Sequence, residues 1–300
     1  TALARNTGLL KRFGMEDLEA LTPEISRRPL VPGHERWSAE PLATPRQGAR
    51  LFNGCVMGTV FANTNRAAAR VMARNGADVD VPTGQECCGA LHVHAGMMEE
   101  ARVLARKNVE AFEATGADPI VVTAAGCGAA LKEYGYLLKD DPDYAERARR
   151  FSDRVRDFTE FLADGGLVPP PKPIRRAVTY QEPCHLAHAQ RISQQPRDLL
   201  RAISGLEFVE MRESSLCCGS AGIYNIIREE MANELGDRKA LHVMETPASE
   251  VVTANPGCLM QVRASLRRNG STARVRHIAD LLDEAYGGPK TKRAIIGETA

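Results

Sequence analysis

Eight cysteines are the residues of this 300-residue chain best suited to chemistry, and they fall into two matched sets. Cys55, Cys87, Cys88 and Cys127 recur as Cys184, Cys217, Cys218 and Cys258, each 129 to 131 residues later. In both sets the adjacent pair is followed by glycine, as Cys87-Cys88-Gly89 and Cys217-Cys218-Gly219, and Val121-Val122-Thr123-Ala124 returns unchanged as Val251-Val252-Thr253-Ala254. A repeat of this length is a duplicated domain, too long for a solenoid unit. Soft thiolates select zinc, copper(I) or iron–sulfur clusters. Structural zinc usually takes its cysteines from close knuckles, and neither set contains one. Adjacent cysteines point their sulfurs apart in an extended chain, which suits a polynuclear centre or one ligand beside a redox-active thiol. An iron–sulfur cluster held by thiolates therefore fits best, with four candidates per site, and zinc in one of the two sites is the alternative. A lone cysteine is more often a small buried hydrophobe, but two matched sets of four argue against that.

The residues around the cysteines support the same chemistry. Gly54, Gly89, Gly126, Gly128, Gly219 and Gly257 flank them, and a residue without Cβ lets backbone N–H groups approach sulfur. His92 and His94 cluster in the first half, His185 and His188 in the second. His185 adjoins Cys184, where it would ligate, relay a proton or bond a cluster sulfur; with Gly89 and Gly219 it is placed one layer outside the sulfurs. Arg191 and Arg197 either close the same edge or face solvent. No G-x-G-x-x-G follows a strand, and there is no P-loop or G-x-S-x-G elbow, so nucleotide, phosphate and serine-hydrolase signals are missing. Electron transfer needs none of them.

The elements expected to position the cysteines alternate between strand and helix. In the first half strands are expected over 50–53, 77–81 and 119–124, with helices over 60–75, 97–115 and 129–138. A helix-rich stretch over 143–162 follows. In the second half strands are expected over 177–181, 207–211 and 251–254, with helices near 197–203, 224–243 and 277–286. Strands alternating with helices imply a parallel sheet, and ligands gather at the carboxyl ends of such strands. Each set has one cysteine after its first strand, two after its second and one after its third, so each set converges on one sheet edge, as two matched pockets. The fold class is α/β, two tandem similar parallel-sheet domains related by internal duplication. The first domain is expected over 49–168 and the second over 174–287, joined through Pro169-Pro170-Pro171-Lys172-Pro173. Residues 1–48 read as a helix and connector, and 288–300 as a tail.

Bulk properties narrow the function classes. With 39 basic and 38 acidic residues the formal charge is +1, which gives no electrostatic footprint for nucleic acid. No apolar stretch approaches the length of a membrane span, so any membrane contact would be peripheral. Eight cysteines in 300 residues are too sparse for a disulfide scaffold and point to a reducing, cytoplasmic setting. The chain starts Thr1-Ala2-Leu3 without methionine, as a piece of a longer protein would.

Three stretches carry a family resemblance: Glu182-Pro183-Cys184-His185-Leu186-Ala187-His188, Cys217-Cys218-Gly219-Ser220-Ala221-Gly222-Ile223-Tyr224-Asn225 and Thr253-Ala254-Asn255-Pro256-Gly257-Cys258. They resemble the cysteine-rich (CCG) domain found twice in the glycolate oxidase iron–sulfur subunit, the lactate-utilisation iron–sulfur protein, the C subunit of anaerobic glycerol-3-phosphate dehydrogenase and the B subunit of heterodisulfide reductase. The resemblance is strongest towards the first of these and covers roughly residues 50–286. It implies an oxidoreductase subunit that passes electrons from a flavin-containing 2-hydroxy acid dehydrogenase subunit towards quinone. It also implies an N-terminal ferredoxin-like domain with two 4Fe-4S clusters, which this chain lacks. The fullest family motif ends in CxxC, whereas Cys127 is followed by Gly128-Ala129-Ala130 and Cys258 by Leu259-Met260-Gln261. In heterodisulfide reductase that fuller motif holds a five-cysteine noncubane cluster that cleaves a disulfide. With one ligand fewer at both sites, a conventional 4Fe-4S cluster, or zinc in one site, is expected instead. A thiol-disulfide reductase and a zinc-stabilised docking scaffold are the rival readings.

Overall fold

The computed structural model describes residues 21–23, 25–42 and 48–288. Of the helix and connector expected over 1–48, residues 1–20, 24 and 43–47 lie outside them, as does nearly all of the tail. The first sheet contains β1 (Arg36–Trp37), β2 (Ala49–Phe52), β3 (Val79–Asp80), β4 (Ile120–Val122) and β5 (Val155–Asp157), in the order β1-β3-β2-β4-β5. Only the β1–β3 pairing is antiparallel. The second contains β6 (Arg176–Tyr180), β7 (Leu206–Val209), β8 (Glu250–Thr253) and β9 (Arg274–His277), in the order β7-β6-β8-β9 and wholly parallel. The run β3-β2-β4-β5 thus has the same order as β7-β6-β8-β9, so the duplication seen in the cysteines is a duplication of topology.

The central strands explain themselves. β4 and β8 are buried along their whole lengths, as expected where helices cover both sheet faces. In the first half the helices are α1 (Cys55–Thr59), α2 (Ala62–Arg74), α3 (Ala90–His94), α4 (Met98–Glu113), α5 (Ala125–Lys132), α6 (Tyr134–Leu137), α7 (Ala145–Arg154) and α8 (Phe158–Asp164). A π-helical turn over His185–Ala189 opens the second half, followed by α9 (Gln194–Arg201), α10 (Tyr224–Ile227), α11 (Glu229–Met244), α12 (Pro256–Arg268) and α13 (Ile278–Ala285).

Some details depart from the sequence pattern. The stretch 143–162 contains the strand β5 between two helices, and the single helix expected over 224–243 is two, meeting at Arg228 with φ −136° and ψ 57°. The edge strand β9 and helix α12 also join the expected elements.

The two halves share one core. Ala68 and Ala69 of α2, small and fully buried, pack with Val71 and Met72 in the same cluster as Leu281 and Leu282 of α13. Arg70 grips Asp283 with two hydrogen bonds of 3.0 and 2.6 Å, and Asn75 Nδ2 donates to Tyr286 Oη at 2.9 Å. His277 Nε2 donates to the Thr123 carbonyl at 2.7 Å.

Candidate metal centre

Each cysteine sits where a strand hands over to a helix. Cys55 opens α1 after Gly54, whose φ of +65° is open to glycine at little cost. Its loop is held by Asn53, which donates to the Leu30 carbonyl at 2.7 Å, and by Asn65, which donates to the Asn53 carbonyl at 2.9 Å and accepts from Thr123. Cys87 and Cys88 lie between β3 and α3. Asn108 accepts from the Glu86 N–H at 2.8 Å and donates to the Cys87 carbonyl at 3.0 Å, while Tyr134 Oη donates to the Cys88 carbonyl at 2.9 Å. Cys127 lies in the first turn of α5. In the second half Cys184 precedes the π-helical turn, Cys217 and Cys218 lie between β7 and α10, and Cys258 lies in the first turn of α12.

The sulfurs meet. Cys55 Sγ is 3.6 Å from Cys87 Sγ, and Cys88 Sγ is 3.2 Å from Cys127 Sγ. Protons shared among neighbours hold the Cys87 thiol far below its ordinary pKa, with Cys55 as the main donor, and push Cys55 and Cys88 up. The second set repeats the pattern: Cys217 is lowered chiefly by Cys184, Cys258 by Cys218, and Cys184 and Cys218 are raised in return. Groups just outside also reach sulfur. The Gly219 N–H donates to Cys217 Sγ at 3.4 Å, Asn255 Nδ2 donates to Cys258 Sγ at 3.5 Å, and His185 Nδ1 lies 3.5 Å from Cys184 Sγ.

One expectation is corrected. Instead of two separate pockets, all eight cysteines line a single cavity of about 420 Å³ between the halves, with His94 and His185 in its wall. The reason is the shared core: the loops carrying Cys127 and Cys258 are hydrogen-bonded to each other, Ala125 N to the Ala254 carbonyl and Gly126 N to Asn255 Oδ1, both at 3.1 Å. The imidazoles of His94 and His185, one from each half, meet edge to face with ring centres 5.6 Å apart. Burial, then the charge of His94, lowers the pKa of His185. Arg197 turns into Glu182 and Glu210, each at 2.8 Å, and so braces the loop before Cys184. Gly89 and Gly219 have φ of +77° and +90°, and a Cβ on Gly219 would lie 2.2 Å from the Ala232 carbonyl oxygen.

The donor set fits an iron–sulfur centre. Thiols that share protons in a half-buried cluster cannot all ionise together, because like charges repel; cationic iron among them would let all four act as thiolates. Among the described residues the cavity wall carries eight cysteine sulfurs, two imidazoles and no carboxylate, a soft set of the kind such clusters require. Among the described residues no three His, Cys, Asp or Glu side chains close on one ion; the sulfurs border a wider space. Two buried residues that support the cysteine loops, Asn108 and Lys239, escaped the sequence reading. They are detectable as the lone polar residue on otherwise apolar stripes, Ala101-Ala105-Asn108-Phe112 and Ala232-Gly236-Lys239-Val243.

Residues 49–132 and 178–263 each match the cysteine-rich domain, CCG. The chain belongs to the CCG cysteine-rich domain family. This CCG protein is 40% identical, over 94% of its length, to the probable glycolate oxidase iron-sulfur subunit of Bacillus subtilis (strain 168), and spans 65% of that relative. It is 32% identical to lactate utilization protein A of Oceanobacillus iheyensis over 78% of its own length and 95% of that protein. A hypothetical protein from Helicobacter pylori shares the fold, with a TM-score of 0.58 and 11% identity over 93% of this chain and 55% of that one. The CCG protein is thus a homologue of an iron–sulfur subunit from an oxidoreductase complex, and spans about two thirds of that subunit's length.

Proposed function

We propose that this chain is the iron–sulfur electron-transfer subunit of a complex that oxidises glycolate or a similar 2-hydroxy acid. The observation that carries the reading is the convergence of all eight cysteines on one cavity. A separate flavin-containing subunit converts the hydroxy acid to the 2-oxo acid, releasing two electrons and two protons, and the electrons pass through this chain towards quinone. When bound, an iron–sulfur cluster, of the 4Fe-4S type in this proposal, supplies a one-electron couple whose potential is set by charge, burial and hydrogen bonds to sulfur. Cys55, Cys87, Cys88 and Cys127 would hold one centre and Cys184, Cys217, Cys218 and Cys258 the other. The Gly219 N–H, Asn255 and His185 are in reach of sulfur to adjust the second.

Exposed apolar side chains at the cavity mouth support a partner subunit: Leu91 and Ile226 line it and are 44% and 66% exposed. Isolated apolar residues on a surface mean little, but a group around a cavity marks an interaction site. Among the described residues no helix is long and apolar enough to cross a membrane, so delivery to quinone is proposed to occur by peripheral contact at the cytoplasmic face.

Metal analysis and EPR on anaerobically purified protein test the reading. Iron with acid-labile sulfide is expected; zinc alone would sink the electron-transfer role and leave the zinc-stabilised scaffold. Replacing Cys217 or Cys218 with serine is expected to lower bound iron and the activity of the reconstituted complex together.

The shared cavity favours one second reading, a thiol-disulfide reductase. A small disulfide between the two sulfur sets would take two electrons and two protons and leave as two thiols. Anaerobic turnover of such a disulfide with a reduced viologen dye, in the absence of any flavin subunit, would select this reading.

A further inference from the structure

Helices α4 and α11 have the same length and lie 131 residues apart, so Ala101 matches Ala232 and Asn108 matches Lys239. Both polar residues are completely buried, and both tie down the loop that leads to a cysteine pair. Asn108 does so with a neutral amide, bonded to Glu86, Cys87 and Tyr134. Lys239 does so with an ammonium, which donates to the carbonyls of Glu213 and, at 3.1 Å, Ser214. The first half therefore has a dipole where the second has a charge.

A buried charge is costly unless an opposite charge accompanies it. The carbonyl partners of Lys239 are neutral, and the Glu213 carboxylate is engaged by Arg238 and by His242, the latter at 2.9 Å. Burial lowers the Lys239 pKa to about 8, and thiolate charge at Cys218 and Cys258 would oppose that lowering; its neighbours on α11, Ala240 and Val243, pack in one cluster with Cys218 and Cys258. Lys239 and the two buried cysteines of the second set, Cys218 and Cys258, are thus shut away from water on the same side of that half.

We infer that Lys239 raises the reduction potential of the second centre above that of the first and so directs electrons from the first sulfur set to the second. This rests on the electron-transfer reading given above. Reduction adds one negative charge to a centre; a fixed cation nearby stabilises the reduced form more than the oxidised one. Cys218 and Cys258 are more deeply buried than Cys55 and Cys127, and burial alone would make the second set harder to reduce. Lys239 shares that burial, so water and salt screen it little, and it reverses the order. It is a positioning residue acting through the sulfurs and touches no substrate.

The test is an EPR-monitored redox titration of the cluster-loaded protein, with the two signals assigned by Cys88→Ser and Cys218→Ser. Lys239→Gln keeps a donor for the loop carbonyls and removes the charge. It is expected to shift the one-electron equilibrium between the centres at least about tenfold, which is about 59 mV, by lowering the second centre alone. Lys239→Arg is expected to keep the wild-type order. The reciprocal Asn108→Lys is expected to raise the first centre, and it decides the matter if Lys239→Gln does not fold. Full iron with unmoved potentials, or an equal shift of both centres, overturns the role of Lys239 while leaving the electron-transfer reading intact. Zinc in both wild-type sites overturns both.

Discussion

The first sulfur set lies under a neutral network of Asn108 and Tyr134, with Cys55 exposed; the second lies over a buried lysine, with Cys218 and Cys258 both buried. The strand order is the same in both halves, so duplication preserved the frame while the residues supporting the cysteines diverged. Backbone topology brings four sulfurs together; the inside of one helix decides what electrostatic surroundings they meet.

The largest expected difference between the halves lies at their matched glycines. Gly219→Ala would drive a Cβ to 2.2 Å from the Ala232 carbonyl oxygen at φ +90°, a backbone clash expected to cost more than about 4 kcal/mol. Gly89→Ala meets nothing nearer than the Ala101 Cα at 3.4 Å, so its cost is mainly the left-handed conformation, about 1 to 2 kcal/mol. Thermal unfolding of the two variants checks this. Equal losses would mean that the two glycines do the same job.

Next in size is an opposition in pH response. Asp157 and His277 cap matched helices, α8 and α13, by accepting from Thr159 N and Ala279 N. Burial raises the Asp157 pKa to about 6 and lowers that of His277 to about 4. The stability tied to Asp157 is fully present below its unfolded value of about 3.8 and is lost as pH rises through about 6; that tied to His277 is present above about 6.5 and is lost as pH falls through about 4. Each is worth about 3 kcal/mol, so between pH 4 and 6 the slopes oppose. Asp280, also raised to about 6 by burial, adds to the Asp157 slope. Relative to wild type, His277→Asn is expected to leave stability falling with pH over this window, and Asp157→Asn to leave it rising. Melting temperatures measured at pH 4, 5 and 6 would expose parallel slopes, which would contradict the opposition.

The smallest effect belongs to Tyr134→Phe, which removes the donor to the Cys88 carbonyl. It is expected to cost about 1 to 2 kcal/mol and to alter the EPR signal of the first centre alone. A change in the second centre's signal would show that the loop network crosses between the halves.

Much of this frame was legible in the sequence, because apolar runs such as Val121-Val122 and cysteines just after them are local signals. β5 and β9 were not, since Val155-Arg156-Asp157 and Arg274-Val275-Arg276-His277 are short, charged strands beside helices. The break at Arg228 leaves no glycine or proline to mark it. The merging of two expected pockets into one cavity depends on α2 meeting α13, a contact between residues more than 200 positions apart that no local pattern encodes. Lys239 breaks an otherwise apolar stripe of α11, and only its burial in the structure gives that break a role.

The hydrogen bonds between the loops of Cys127 and Cys258 make each half part of the other's wall. A fragment ending in the proline-rich linker would keep four cysteines yet expose them on an unfinished face. Although the gene arose by doubling, its product is no longer divisible by two: an ancestor with a single domain would have had to pair with its own copy to enclose the same space.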